Sequence, residues 1–142
     1  MQGRTLVTAE SCTGGGIGSA LTTIPGSSSV YKGGIICYTN WVKEQMLDVD
    51  KCVLENYGAV SNPVAAQMAS GVRNKLKADV AVSVTGLAGP GGDAHGHVVG
   101  TVYIGYEDQN VSIVKHMHFT GSRDEIRRST IIAALQMILE NN

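Results

Sequence analysis

Residues 7 to 16 read Val-Thr-Ala-Glu-Ser-Cys-Thr-Gly-Gly-Gly, which sets Ser11, Cys12 and Thr13 between a hydrophobic run and a run of glycines. A strand, a sharp turn carrying a serine and a helix opening in small residues would expose Ser11 as a nucleophile beside backbone amides. The amides of Thr13, Gly14 and Gly15 would face an oxyanion, since glycine admits close backbone approach and a helix N-terminus favours negative charge. The same residues also read as a plain turn. Alternation along the entering strand sends neighbouring side chains in different directions, so Cys12 is expected in the core. Thr13 is expected as a helix cap or as a hydroxyl on the oxyanion side.

A serine nucleophile needs a base. His95, His97, His116 and His118 all lie in the later half of the chain, where only the fold could bring one to Ser11. Lys43 is another route: it follows Tyr38 by five positions, at the start of a short helix after a strand. A buried lysine can lose its proton and act as base, while a tyrosine hydroxyl can relay a proton or orient the nucleophile. Taken singly, Tyr38 also reads as a core residue and Lys43 as a solvated helix charge.

The stretch Thr-Gly-Leu-Ala-Gly-Pro-Gly-Gly, Thr85 to Gly92, could form an anion nest from its amides, including those of Gly86, Gly89, Gly91 and Gly92. It lacks the Gly-Lys-Ser/Thr ending of a P-loop and the spacing of a dinucleotide fingerprint. Arg123 sits in the first turn of the last expected helix, where a cation opposes the helix dipole and calls for an anionic partner. Glu125, Asp124 or a substrate phosphate could serve, and Arg127 lies one turn further on. His95-x-His97 after Asp93, and His116-x-His118, could ligate a metal, yet no carboxylate or thiolate cluster completes a set of four. No metal and no cofactor are expected.

Residues so placed need elements to hold them. The chain of 142 residues fits one domain, 1–142, able to bury a core without staples. It is 43% hydrophobic and 16% charged with a net charge of −1, which gives no basic footprint for nucleic acid. Its three cysteines have no ribbon or disulfide spacing, and no stretch has the roughly 18 apolar residues of a membrane span. A cytoplasmic location follows, without nucleic acid or membrane as partner.

Strands are expected over 5–9, 33–38, 79–84, 101–106 and 111–118, the last two as a hairpin turning at Asp108-Gln109-Asn110. Helices are expected over 14–23, from Asn40 through Leu47, over 51–57, after an Asn62-Pro63 start, and after a capping box of Ser122 and Glu125. Ala65, Met68, Ala69, Val72 and Leu76 make one core stripe, and Ile131, Leu135, Ile138 and Leu139 another. The pattern predicts an α/β protein, a three-layer α/β/α sandwich on a mixed sheet, mostly parallel with one antiparallel strand. Ligands bind such sheets beyond the carboxyl ends of the strands, where both glycine-rich loops and Tyr38 would converge.

The segments TAESCTGGGIGSALTTIPGSSSVYKGGIICYTNWVKEQML, GAVSNPVAAQMASGVR, VSVTGLAGPGGD, VGTVYIG and FTGSRDEIRRSTIIAAL resemble, in order and spacing, the CinA carboxy-terminal family. The resemblance implies a five-stranded mixed sheet and an activity like that of nicotinamide-nucleotide amidohydrolases, which convert nicotinamide mononucleotide to nicotinate mononucleotide and ammonia without metal or organic cofactor. It implies Ser11 as nucleophile, Tyr38 and Lys43 as its activating partners, and the loop 86–92 as a wall of the nucleotide site. Arg123 and Arg127 are the candidates for the 5′-phosphate. The family commonly reads Lys-Pro-Val-Gly where this chain has His97-Val98-Val99-Gly100. Members commonly carry a helix before the first strand, while here the strand comes almost at once, so a sheet face is expected either to be exposed or to be covered by a partner subunit; a homo-oligomer is expected, with a dimer as one form. The alternative function is a non-catalytic nucleotide-binding or assembly module serving competence or DNA damage.

Overall fold

The computed structural model describes residues 3–141. Among these, five strands, β1 (Leu6–Glu10), β2 (Tyr31–Ile36), β3 (Val80–Gly86), β4 (Thr101–Glu107) and β5 (Ser112–His118), form one sheet in the order β2-β1-β3-β4-β5. β1 pairs in parallel with β2 and β3, and β4 is antiparallel to both β3 and β5. Four strands therefore run one way and β4 alone runs the other, as the sequence pattern predicts.

Strand parity decides which layer each residue enters. Leu6 and the alternate valines Val80, Val82 and Val84 turn to one face, where they pack with Val102, Ile104 and Tyr106 of β4. That face is covered by α1 (Gly16–Thr22) through Ile17 and by α5 (Arg123–Asn141) through Ile126, Ala134 and Met137. Val7, Ala9 and Ala81 turn to the opposite face, beneath α2 (Asn40–Leu47), α3 (Lys51–Tyr57) and α4 (Asn62–Leu76), which contribute Leu47, Leu54, Val64, Met68 and Val72. Each such side chain removed from water contributes about 1.5–3 kcal/mol, so two filled faces dominate the stabilisation of the sheet.

Local differences from the sequence reading have physical causes. Gly14 and Gly15 take left-handed backbone, φ 59° and 104°, so they form a turn and α1 begins at Gly16 rather than at residue 14. The N-cap of α2 is Thr39, whose hydroxyl accepts from the Val42 amide, with Asn40 the first helical residue. The N-cap position of α4 is Ser61, whose hydroxyl instead donates to the Gly58 carbonyl. The capping box at α5 forms, with the Ser122 amide donating to Glu125 Oε1 at 2.9 Å and the Glu125 amide to Ser122 Oγ at 3.2 Å. Along α5 the buried stripe is rotated: Ile126, Thr130, Ala133, Ala134, Met137 and Ile138 are buried, whereas Leu139 is 75% exposed. The hairpin turn closes on Asp108, whose Oδ1 accepts the amides of Asn110 and Val111 at 2.8 Å.

Gly71 lies inside α4, where glycine is about 1 kcal/mol less favourable than alanine. A Cβ there would overlap the Leu47 carbonyl at the end of α2, so this glycine sets how closely α2 approaches α4. Gly71→Ala is expected to destabilise the fold by about 1–3 kcal/mol of overpacking despite the gain in helix propensity. Urea denaturation measures this, and an unchanged or raised midpoint would contradict the close α2–α4 contact.

Candidate active site

Parity carries past the end of β1. Val7 and Ala9 face the α2–α4 layer, and the next residue of that parity, Ser11, faces it too, buried to 7% exposure. Cys12 turns back into the cluster beneath α1 and α5. Burial pushes its thiol up to about 12, which disfavours the thiolate that a cysteine nucleophile needs at neutral pH. The turn is closed by the Ser11 amide donating to the Val84 carbonyl and the Gly14 amide to the Ser11 carbonyl, both at 3.1 Å.

α2 presents Lys43 to the same layer. Its Nζ lies 2.9 Å from Ser11 Oγ, 2.8 Å from the Cys37 carbonyl and 3.3 Å from the Tyr38 carbonyl. The residue is 1% exposed, and burial holds its pKa below the ordinary lysine value. Among the described residues no carboxylate forms an ion pair with it. A charged ammonium has three protons for these three acceptors. A neutral amine has two, which the carbonyls can take, leaving its lone pair toward the serine hydroxyl. The geometry thus accommodates the lysine on both sides of a proton transfer.

Tyr38 stands differently from the role implied for it. β2 ends at Ile36, so Tyr38 belongs to the connection into α2; its carbonyl accepts from Lys43, while the residue is 59% exposed. Its hydroxyl accepts from Arg123 Nη2 at 3.3 Å. Arg123 Nη1 also donates to the Gly89 carbonyl at 2.6 Å, joining the start of α5 to the glycine loop.

Ser11, Tyr38 and Lys43 line one side of a cavity of about 450 Å³. Thr85, Gly86, Gly89 and Gly91 form another side, and Arg123 reaches it from α5. Gly92, Thr13, Gly14, Gly15 and Arg127 lie outside this lining. Gly14's amide is committed to the turn, and Thr13 donates its hydroxyl to Glu10 Oε1 at 2.6 Å instead of facing the cavity. Arg127 does not extend toward a ligand: its Nε and Nη2 donate to the carbonyls of Cys12 and Thr13, each at 3.1 Å. A guanidinium held by two turn carbonyls is a brace for the turn.

Three further features border the site; the first and third escaped the sequence reading, while the second was read there only as a possible base or metal ligand. Gly58, Ala59 and Val60, between α3 and α4, close one wall of the cavity. Asp93 and His95 also border it. Burial raises the Asp93 carboxyl, but the hydrogen bonds from His97 and the His95 amide outweigh this and hold it below its ordinary value. His97 Nδ1 lies 2.6 Å from Asp93 Oδ2, so this histidine serves the loop. Glu10 is the third feature, and the signal for it was an ionisable residue closing an otherwise uncharged buried strand.

The chain matches the family described as the CinA C-terminal domain over residues 1–141. A CinA-like protein of Parasynechococcus marenigrum (strain WH8102) is 45% identical over 138 residues, covering 96% of this chain and 33% of that protein. Another from Microcystis aeruginosa (strain NIES-843) is 46% identical over 144 residues, covering 99% of this chain and 34% of its own length. The chain thus spans about a third of the length of the curated relatives it matches. The crystal structure of the competence/damage inducible protein CihA from Agrobacterium tumefaciens superposes with a TM-score of 0.94 at 42% identity, covering 98% of this chain and 86% of that one. A CinA superfamily protein from Escherichia coli gives a TM-score of 0.97 at 35% identity, covering 99% of this chain and 82% of that one. By both sequence and three-layer fold, the chain belongs to the CinA C-terminal domain family.

Proposed function

We propose that this chain is a serine amidohydrolase that cleaves the carboxamide of nicotinamide mononucleotide to nicotinate mononucleotide and ammonia. The observation that carries the reading is the 2.9 Å contact between Ser11 Oγ and a buried Lys43 Nζ whose other two acceptors are backbone carbonyls. In its neutral form Lys43 takes the serine proton as Oγ attacks the amide carbon. Cys12 lines the cavity beside Ser11, and its amide is the donor assigned to the developing oxyanion, the Gly14 amide being already bonded. Lys43 returns the proton to the leaving nitrogen, ammonia departs, and an acyl group remains on Ser11. Water then attacks the acyl carbon and loses a proton to the same amine, which passes it to Ser11 Oγ as the C–O bond breaks and the carboxylic acid is released.

The glycine loop after β3 and Arg123 suit a phosphate held away from the reacting bond, where binding energy can orient the amide. Arg123 is the arginine lining this cavity, and Arg127 is withdrawn from that role by its contacts with the turn. The expected cytoplasmic location and homo-oligomeric state belong to this proposal as well. Among the described residues no helix is long and apolar enough to cross a membrane.

Purified protein is expected to release ammonia from nicotinamide mononucleotide equally with and without chelator, and Ser11→Ala to abolish release. Folded wild type that binds the nucleotide without turnover would favour the non-catalytic module, and equal rates in the mutant would remove Ser11 as nucleophile.

The active form of Lys43 is the neutral one, so kcat/KM should rise with pH as this amine deprotonates. Burial lowers its pKa, which places the inflection below the ordinary lysine value of about 10.4. Lys43→Met is expected to lower kcat by about 10²–10⁴-fold and to remove that inflection; a mutant retaining the wild-type profile would exclude Lys43 as base.

Arg123→Ala should raise KM for the nucleotide by about 10- to 100-fold, the worth of a charge-assisted hydrogen bond, with kcat little changed. An unaltered KM would place the phosphate elsewhere.

A further inference from the structure

Glu10 is the last residue of β1 and directly precedes Ser11, yet its parity sends it to the opposite face of the sheet. There it is 2% exposed, and among the described residues it forms no ion pair. Three donors surround its carboxylate: the Thr13 hydroxyl at 2.6 Å and the Ile17 amide at 2.8 Å on Oε1, and the Gly18 amide at 3.0 Å on Oε2. Ile17 and Gly18 begin α1, so the carboxylate also meets the positive end of that helix. Its main chain reaches the other half of the site, for the Glu10 carbonyl accepts the Cys37 amide at 2.8 Å, and the Cys37 carbonyl in turn accepts from Lys43.

We propose that Glu10 is a positioning residue for the Ser11 nucleophile: through Thr13 and the first amides of α1, its buried carboxylate fixes the turn that holds Ser11 Oγ within reach of Lys43 Nζ. The inference rests on the reading of Ser11 as nucleophile and goes beyond it. Glu10 is outside the cavity lining, so it touches no substrate and acts only by placing the serine. A carboxylate is required chemically. Both its oxygens accept, whereas glutamine offers one accepting oxygen and an amide nitrogen that faces donors, leaving Thr13 and Ile17 or else Gly18 without an acceptor. Arg127 holds the carbonyls of the same turn from the side of α5, so the turn is fixed through its acceptors and its donors alike.

The test uses Glu10→Gln, Thr13→Val and the double variant, each confirmed folded by circular dichroism and thermal melting. Two readouts are taken: ammonia release from nicotinamide mononucleotide, and labelling by a fluorophosphonate followed by intact mass. In labelling, Ser11 Oγ forms the P–O bond, fluoride leaves and the serine proton passes to Lys43, with no demand on the nucleotide site. Glu10→Gln is expected to lower both kcat and the labelling rate by about 10- to 100-fold, the scale of an ångström-sized misplacement, with KM within about twofold of wild type. Because Glu10 acts through Thr13, the double variant should fall short of the product of the single effects. Folded Glu10→Gln with wild-type kcat and labelling rate, or strictly multiplicative effects, would overturn the proposal. Labelled wild type that releases no ammonia would overturn the substrate while the labelling rates still decide the role of Glu10. Wild type that is neither labelled nor active would overturn the nucleophile and this inference with it.

Discussion

A lysine amine that is buried and, among the described residues, pairs with no carboxylate imposes a demand on everything around it. Its charged form needs acceptors that only the backbone or hydroxyls can supply, since an unpaired buried ammonium would be costly. The fold meets this at Cys37 and Tyr38, two carbonyls in the connection between β2 and α2, and at Ser11. For those carbonyls to face α2, the chain must leave strand pairing after Ile36. It does so at a fixed place, because the Cys37 amide still donates to Glu10 at the end of β1. The same arrangement that satisfies the ammonium also suits the neutral amine, so the proton can leave without any backbone group losing its partner.

The sheet makes this possible by its order. β1 lies between two parallel neighbours, so the carboxyl ends of β2, β1 and β3 open on one side, where such sheets bind ligands. Three successive residues then divide the work by parity alone. Glu10 enters the α1 layer, Ser11 the α2 layer, and Cys12 returns to the α1 and α5 side. One strand end thereby supplies both the serine that meets Lys43 and the carboxylate that braces its turn, on opposite faces, and neither intrudes on the other.

Much of this was legible in the sequence because period and parity are local. Alternate valines fixed β3, the 3–4 spacing of α4 identified its stripe, and the strand parity that sends Cys12 inward could be read before any coordinates. What stayed hidden depended on contacts distant in sequence or on an ambiguous local pattern. Nothing near Arg127 reveals that its partners are carbonyls more than a hundred positions earlier. Tyr38 and Lys43 are five apart and do border one cavity, yet the end of β2 leaves the tyrosine exposed with its hydroxyl on Arg123 and gives Lys43 its carbonyl in place of that hydroxyl. In α5 the run Ile-Ile-Ala-Ala-Leu-Gln-Met-Ile-Leu is apolar on nearly every side, so its pattern left the phase of the stripe open and packing against β3 and β4 chose it.

The two arginines of α5 show why the site cannot be assigned to any one segment. They lie about one helical turn apart; Arg123 reaches Gly89 and Tyr38 at the cavity, while Arg127 grips the turn after Ser11. Arg123 opposes the dipole of its helix, but Asp124 and Glu125 share the first turn and offset it. α5 therefore joins the cavity to the turn as a single rigid element, and its own position is fixed by Ile126, Ala134 and Met137 in the core. Ser11 to Lys43, Gly89 to Arg123 and Thr13 to Arg127 are all long-range contacts, so the geometry of the candidate site exists only when the sheet and both helical layers are docked together.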